Sequence, residues 1–315
     1  MMADADQSRA TAGPETAGET LTADLLIVGG GMVGGAMALA AAKGGLSSNV
    51  IDRVAPSRQR DASFDGRSSA IARGSQQVLD GIGLWPHVAR DAEPILDIRV
   101  SDGKVGATRR EAWAAPLFLH YDSAALDGEP LGYILENRIL RCGLAAALAD
   151  HDEITLCAPA NLAQLERRES YVLGRLEDDR QVRCALAVSA EGRNSQLRSD
   201  AGIAVQRWDY PQAGIVCSVG HELPHEGVAH EHFLPSGPFA LLPMTDGPLE
   251  AGGPCLHRSS LVWTEKRALA AEMVALDDEA FAQELSRRFG DSLGDFCVAG
   301  QRWSYPLSLL HAERY

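Results

Sequence analysis

Three glycines in fixed spacing, Gly29-x-Gly31-x-x-Gly34, are the first residues whose arrangement could do chemistry. Glycine at the first position permits a tight turn. At the second it lets a backbone approach a pyrophosphate, and at the third it lets a helix press against a strand. A helix opening there offers unpaired amide N–H groups and a partial positive charge to phosphate. Asp52, after the next apolar run, can accept hydrogen bonds from ribose hydroxyls. Together these residues suit an ADP-ribose group, which nicotinamide and flavin dinucleotides share. The glycines alone leave both open.

A second candidate set, His221, Glu222, His225, His230 and His232, lies in "HELPHEGVAHEH". His221-Glu222-x-x-His225 has the letter pattern of a zinc peptidase, whose histidines must share one helical face four residues apart. Pro224 between them would break such a helix, and the flanking runs look extended. These therefore read as exposed loop histidines between strands, and no metal is expected.

The elements that must position these residues follow from pattern. Leu25–Val28 is a short apolar run suited to a buried parallel strand. The stretch 32–42, rich in Ala, Met and Leu, is a good helix, ended by Gly44-Gly45. Asn49–Ile51 is the next strand. The run from Leu25 to Ala42 approaches the length of a membrane span, but its central glycines make a buried strand-turn-helix the better reading. Residues 69–82 look helical, 97–100 extended, and 136–148 form an amphipathic helix after a strand and turn. The stretch 153–190 alternates strands and turns, ending in a buried strand at Leu186–Ser189. From Val205 to Trp303 strands dominate, interrupted by one clear helix near 278–289.

Composition narrows the classes. The chain has 315 residues, 45% hydrophobic and 23% charged, with a net charge of -14. No basic surplus exists to neutralise phosphates, which excludes a nucleic-acid partner and leaves at most weak peripheral contact with an anionic membrane. The six cysteines are scattered without a C-x-x-C pair and read as reduced residues of a cytoplasmic protein. Residues 1–22 lack a basic start and an apolar core, so they predict a disordered acidic tail rather than a signal peptide.

Further motifs carry a family resemblance: "FDGRSSAI" at 64–71, "ENRIL" at 136–140, "EGRNSQLR" at 191–198, "WDYPQAGIV" at 208–216, "AHEHFLPSGPFALLPM" at 229–244 and "LVWTE" at 261–265. With the glycine unit, Asp52 and Arg53, the chain resembles the aromatic-ring flavoprotein monooxygenases of the para-hydroxybenzoate hydroxylase type. It resembles in particular the ubiquinone-biosynthesis hydroxylases of the UbiH, UbiI and UbiF kind. The resemblance implies an α/β fold: a Rossmann-like FAD-binding domain with an interleaved, mainly-β substrate domain. It implies FAD-binding segments at 23–77 and 130–204, substrate-domain segments at 78–129 and 205–304, and a return toward the FAD domain at 305–315. It implies Gly29, Gly31, Gly34, Asp52 and Arg53 at the ADP half of FAD, and Arg67 along the pyrophosphate and flavin edge. Glu136 to Arg138 would sit near the ribityl and pyrophosphate region. Glu191 and Gly192 would serve FAD and incoming NAD(P)H, and the segment 237–243 would face flavin and substrate. The implied reaction is hydroxylation of a polyprenylated phenol by NAD(P)H and O2, with no side-chain nucleophile or catalytic triad, with other ubiquinone-biosynthesis proteins as partners and a place at the periphery of the inner membrane.

Two departures stand out. The family begins its third motif with Asp-Gly, where this chain has Glu191-Gly192. The family's Gly-Asp motif beyond "YPL" is absent, since the chain reaches Tyr305-Pro306-Leu307 and stops at Tyr315. The alternatives are a shortened, non-catalytic homologue with an incomplete flavin site, or a nicotinamide-dependent dehydrogenase using the glycine unit alone.

Overall fold

The computed structural model describes residues 20–61, 65–103, 119–246 and 257–314. Most of the expected tail, Phe64 and Cys255 lie outside the described residues. The strands are β1 (Thr20–Thr22), β2 (Leu25–Val28), β3 (Ser48–Ile51), β4 (Ser68–Ala72), β5 (Glu93–Ile95), β6 (Asp97–Asp102), β7 (Leu119–Asp122), β8 (Gly132–Glu136) and β9 (Ile154–Cys157). They continue with β10 (Leu162–Arg167), β11 (Val172–Leu176), β12 (Gln181–Cys184), β13 (Leu186–Ser189), β14 (Val205–His221), β15 (Val228–Leu234), β16 (Gly237–Met244), β17 (His257–Lys266) and β18 (Phe296–Ala312).

A parallel sheet of order β13-β2-β3-β9 carries the glycine turn. Every residue of β2 is buried, and period-two alternation splits its side chains between two cores. Leu25 and Ile27 pack with helix α1 (Met32–Lys43) and the helix Asn137–Ala149. Leu26 and Val28 pack beneath the meander β10–β12. This double burial is why the strand reads as one apolar run.

A seven-stranded sheet of order β18-β14-β17-β16-β15-β6-β7 forms the second body of structure. One face is sealed by the helices Arg267–Ala275 and Asp278–Phe289 over Ile215, Leu261, Trp263 and Phe239. A small sheet, β4-β8-β5, packs Ile95 and Ile134 against Ala229 and Met244. The fold is α/β, as expected. Among the described residues no helix is long and apolar enough to cross a membrane.

Several local expectations need correction. Thr20–Thr22 belongs to no tail: it pairs in parallel with β12, and Leu21 packs onto the meander core. Residues 69–82 are not one helix. Ser68–Ala72 pairs antiparallel with β8, burying Ile71, and the helix starts only at Arg73. Ser-Ser-Ala-Ile-Ala has weak intrinsic preference, so the cross-strand partner decides its state. No turn separates β8 from the helix Asn137–Ala149, because Glu136 is itself the N-cap. Strand β13 is not fully buried: it is a sheet edge, and Leu186 is 56% exposed. The helix Arg267–Ala275 adds a second helix where one was expected.

Candidate functional site

The turn between β2 and α1 is shaped by three steric facts. Gly29 has φ +103°, which favours glycine, and an added Cβ would strike the Ala190 carbonyl. A Cβ on Gly34 would penetrate the Gly29 carbonyl oxygen and lie 3.1 Å from Ala190 Cβ. Gly31 differs: its φ is −71°, open to any residue, and its Cβ would meet nothing within 4 Å. Gly29 and Gly34 therefore let the turn close, while Gly31 faces open space. Helix α1 starts there with no side-chain cap and no acidic residue in its first turn. Its leading amides are left to an incoming anion.

These residues border a cleft of about 390 Å³, lined also by Met32, Asp52, Arg53, Asp65, Arg67 and Arg141. Asp52 straps the turn in place, since Oδ2 accepts from the Gly30 amide at 2.7 Å and Oδ1 from the Val54 amide at 2.7 Å. Each oxygen keeps a further lone pair for a hydroxyl. Asp52 thus fixes the loop as well as presenting an acceptor, a double role its position in the sequence did not reveal.

Asp65 is the centre of a polar network at the cleft. It is 6% exposed and takes a forked pair of bonds from Arg67, at 2.8 and 2.9 Å. It also accepts Arg141 Nη1 at 3.0 Å and Asn137 Nδ2 at 3.1 Å. Burial alone would raise this carboxyl. The hydrogen bonds from Arg67 and Asn137 outweigh it and hold Asp65 far below the usual carboxylate range. Arg67 is thereby aimed along the cleft, with its guanidinium 5.2 Å from the centre of the Tyr305 ring. The sequence motifs point to Arg67 and to the stretch 136–138 that holds Asn137, but not to Asp65 or Arg141. The Asn137/Arg141 spacing of one helical turn was the available signal.

The structure does not bring every expected residue to the cleft. Glu136 turns toward Arg258 on β17, at 2.9 Å, and Arg138 lies 3.9 Å from the same carboxylate. Neither lines the cleft. Glu191 and Gly192 do line it. Burial would raise the Glu191 carboxyl, but bonds from Ser195 (2.6 Å), the Leu197 amide (3.1 Å) and Ser189 (2.9 Å) leave it lowered. Its side chain thus organises the turn and the short helix Gln196–Asp200. Gly192, at φ +76°, makes the reversal. A larger hollow of about 630 Å³ lies beside edge strand β13, lined by Leu165, Ser195 and Arg198. It lacks the amides of the glycine turn, so the smaller cleft is the better phosphate site.

Of the candidate histidines only His225 lies in the loop, and it is half-buried; His221, His230 and His232 are on strands. His221 ends β14 with no exposure, bonding the Leu223 carbonyl at 2.7 Å and Ser259 Oγ at 2.9 Å. His230 is 7% exposed on β15, its ring 5.0 Å from that of Phe289. Burial pushes His221 down to about 4 and His230 down to about 3. Strand alternation, invisible to a helix-or-loop reading, turned His230 and His232 inward. Among the described residues no group of three or more His, Cys, Asp or Glu could hold a metal.

Residues 22–291 match the model of the FAD binding domain family. The ubiquinone hydroxylase UbiL of Rhodospirillum rubrum is 46% identical over 303 residues, covering 96% of this chain and 66% of that protein. The 3-demethoxyubiquinol 3-hydroxylase of Escherichia coli is 32% identical, covering 93% of this chain and 70% of that protein. The chain therefore spans about two thirds of the length of these curated relatives. PqsL of Pseudomonas aeruginosa, solved with 2-aminobenzoylacetate, shares the fold at 19% identity and a TM-score of 0.69, over 91% of this chain and 74% of that one.

Proposed function

The chain belongs to the FAD-binding domain family, and from that membership we propose that it is an FAD-dependent monooxygenase. It hydroxylates the aromatic ring of a polyprenylated phenol in ubiquinone biosynthesis, using NAD(P)H and O2. The observation that carries this reading is the cleft at the α1 terminus. An uncapped helix end, the open side of Gly31 and two guanidiniums organised by Asp65 converge on it.

The donor set fits FAD. The α1 amides and Gly31 would take the diphosphate, and Gly29 and Gly34 would hold the turn that presents them. Asp52 would accept from a ribose hydroxyl beside Arg53. Arg67 would reach along the cleft toward the flavin, and Glu191-Gly192 would close its far wall. Glu136 and Arg138 would act from outside the cleft, through the Arg258 contact. When bound, FAD supplies electron transfer from NAD(P)H and activation of O2. The protein binds and orients the ring, excludes water and places charge, with no side-chain nucleophile. Its substrate carries a lipid tail, so the reading includes a cytoplasmic protein that meets the membrane peripherally, weakly so given the acidic net charge.

Purification tests this reading. A yellow protein with a flavin spectrum that oxidises NAD(P)H only with a phenol and O2 present supports it. A colourless protein that gains no flavin on reconstitution refutes it. Reduction of NAD(P)+ by an alcohol without flavin would select the dehydrogenase instead.

A further inference from the structure

The seven-stranded sheet has two unlike faces. On the helix side, Ile215, Cys217, Leu261, Trp263, Phe239 and Leu241 are each 2% exposed or less. On the other side the alternate residues Ser218, Val262 and Trp303 are half-buried and Phe233 is 48% exposed, while Val216 and Ala240 are 8% and 5% exposed and Leu242 packs with Ala229 and Met244 beneath the small sheet. Register places one row of this second face in line: Glu231 pairs with Val100 on one flank and Ala240 on the other. Ala240 pairs with Val262, Val262 with Val216, and Val216 with Trp303. Paired residues share a face, so the row is a continuous apolar strip, small at Ala240, Val262 and Val216 and bounded by Trp303, with a carboxylate in it.

The floor is continuous with the cleft. Trp303 lies against Gly66, so closely that any Cβ there would strike the indole nitrogen. Gly66 directly precedes Arg67 of the cleft. From β18 to β15 is four strand spacings, roughly 19 Å at about 4.8 Å each, which is the separation of Trp303 and Glu231 along the row.

Glu231 is out of character with this floor. It is half-buried, and no described residue gives it a hydrogen bond or ion pair. A carboxylate facing apolar neighbours without a partner costs stability. Such a cost is expected where a residue is kept for a ligand. Desolvation also pushes its carboxyl above the usual range. His230 and His232, its chain neighbours at one remove, face the opposite side with Phe289 and cannot pair with it.

We propose that Glu231 is the substrate-recognition residue: its carboxylate accepts the hydrogen bond of the phenol's ring hydroxyl on this floor. The inference rests on the monooxygenase reading and names the group that holds the ring. The acceptor fixes the ring's rotation and, by drawing on the hydroxyl proton, enriches the ring in electron density. A site built to bond a hydroxyl rejects the analogue lacking it, because its own polar group is then left unpaired.

The test is a binding titration of the FAD-loaded full chain, followed by tryptophan fluorescence. The probes are a phenol bearing a short prenyl chain and its O-methyl ether. Wild type is expected to bind the phenol at least about tenfold tighter than the ether. Glu231→Leu abolishes that preference, leaves the ether's Kd unchanged and does not lower Tm. Glu231→Gln, which keeps an acceptor oxygen, restores part of the preference. Equal binding of both probes by wild type overturns the proposal. So does a Glu231→Leu variant that weakens both alike or loses stability, since a structural role would do that. A chain that takes up FAD but shows no phenol preference refutes this inference alone. A chain that takes up no FAD refutes the functional reading beneath it.

Discussion

Replacing Gly31 by alanine separates folding from binding in a way no other glycine of the turn allows. The backbone there, at φ −71°, suits alanine, and the added methyl meets no protein atom within 4 Å. The expected cost to the fold is that of a poorer helix N-cap, about 0.5–1 kcal/mol, a loss of roughly 1–2 °C in Tm. The methyl projects from the N-cap of α1 on the wall of the cleft, where a diphosphate would lie against the amides. Losing one amide–phosphate hydrogen bond costs about 1.5–3 kcal/mol, which weakens FAD binding by roughly 10- to 150-fold. The assay is fluorescence titration of FAD beside thermal unfolding of the apoprotein. Gly34→Ala is the control. Its Cβ would overlap the Gly29 carbonyl oxygen, so strand and helix must part, lowering Tm and FAD affinity together. FAD affinity within about threefold of wild type in Gly31→Ala would refute the assignment of the cleft. Unfolding of Gly31→Ala to the same extent as Gly34→Ala would refute the steric reasoning itself.

Three further outcomes can be checked. Asp65→Asn leaves Arg141 and Arg67 without their shared carboxylate and is expected to lower stability by about 3 kcal/mol, read by urea unfolding at pH 7. Because Asp65's folded pKa lies below its unfolded value, its contribution is present above about pH 4 and fades as pH falls further; Asp65→Asn flattens that part of the acid profile, and an unchanged profile rejects the network. His221 and His230 are buried neutral with pKa held down to about 4 and about 3, so the stability they contribute is full above about pH 6.5 and declines as pH falls toward 4. A Tm that stays flat from pH 7 to 4 would contradict this. Gly66→Ala forces the indole of Trp303 aside and is expected to loosen FAD; adding Trp303→Leu makes room and recovers binding, whereas additive losses in the double variant would show that the two residues do not share that space.

What was legible in the sequence was what local sterics dictate. Gly29, Gly34 and the strand before them could be read because a turn, a close approach and a buried run each leave a signature within a few residues. Asp52 was found, but not its grip on the Gly30 and Val54 amides, which depends on how β3 ends beside β2. Asp65 stood inside a quoted motif and went unread because its partners Asn137 and Arg141 come from a helix far along the chain. The resemblance puts Glu136 and Arg138 near the ribityl and pyrophosphate region of FAD, but it carries no sign that Arg258, brought in by β17, pairs with Glu136. The histidines were misplaced for a related reason: their burial comes from helix Asp278–Phe289 closing over β15, a long-range event with no local trace.

The same long-range contacts join the cleft to the floor. Strand β18 belongs to the large sheet, yet its Trp303 and Tyr305 sit against Gly66 and Arg67, and its Ser308 accepts from Arg193 of the Glu191–Asn194 turn. Arg258 reaches from β17 to Glu136, the N-cap of the helix that supplies Asn137 and Arg141. The Arg67, Glu191 and Arg141 sides of the cleft are thus tied to strands of the floor. A ligand that orders Arg67 or the Glu191 turn must also order β18, and with it the row that ends at Glu231. Preorganised contacts of this kind make one binding event lower the entropic cost of the next. The phenol's affinity is therefore expected to rise when the diphosphate site is filled, and the coupling runs through Trp303 and Tyr305 rather than through the helices on the sealed face.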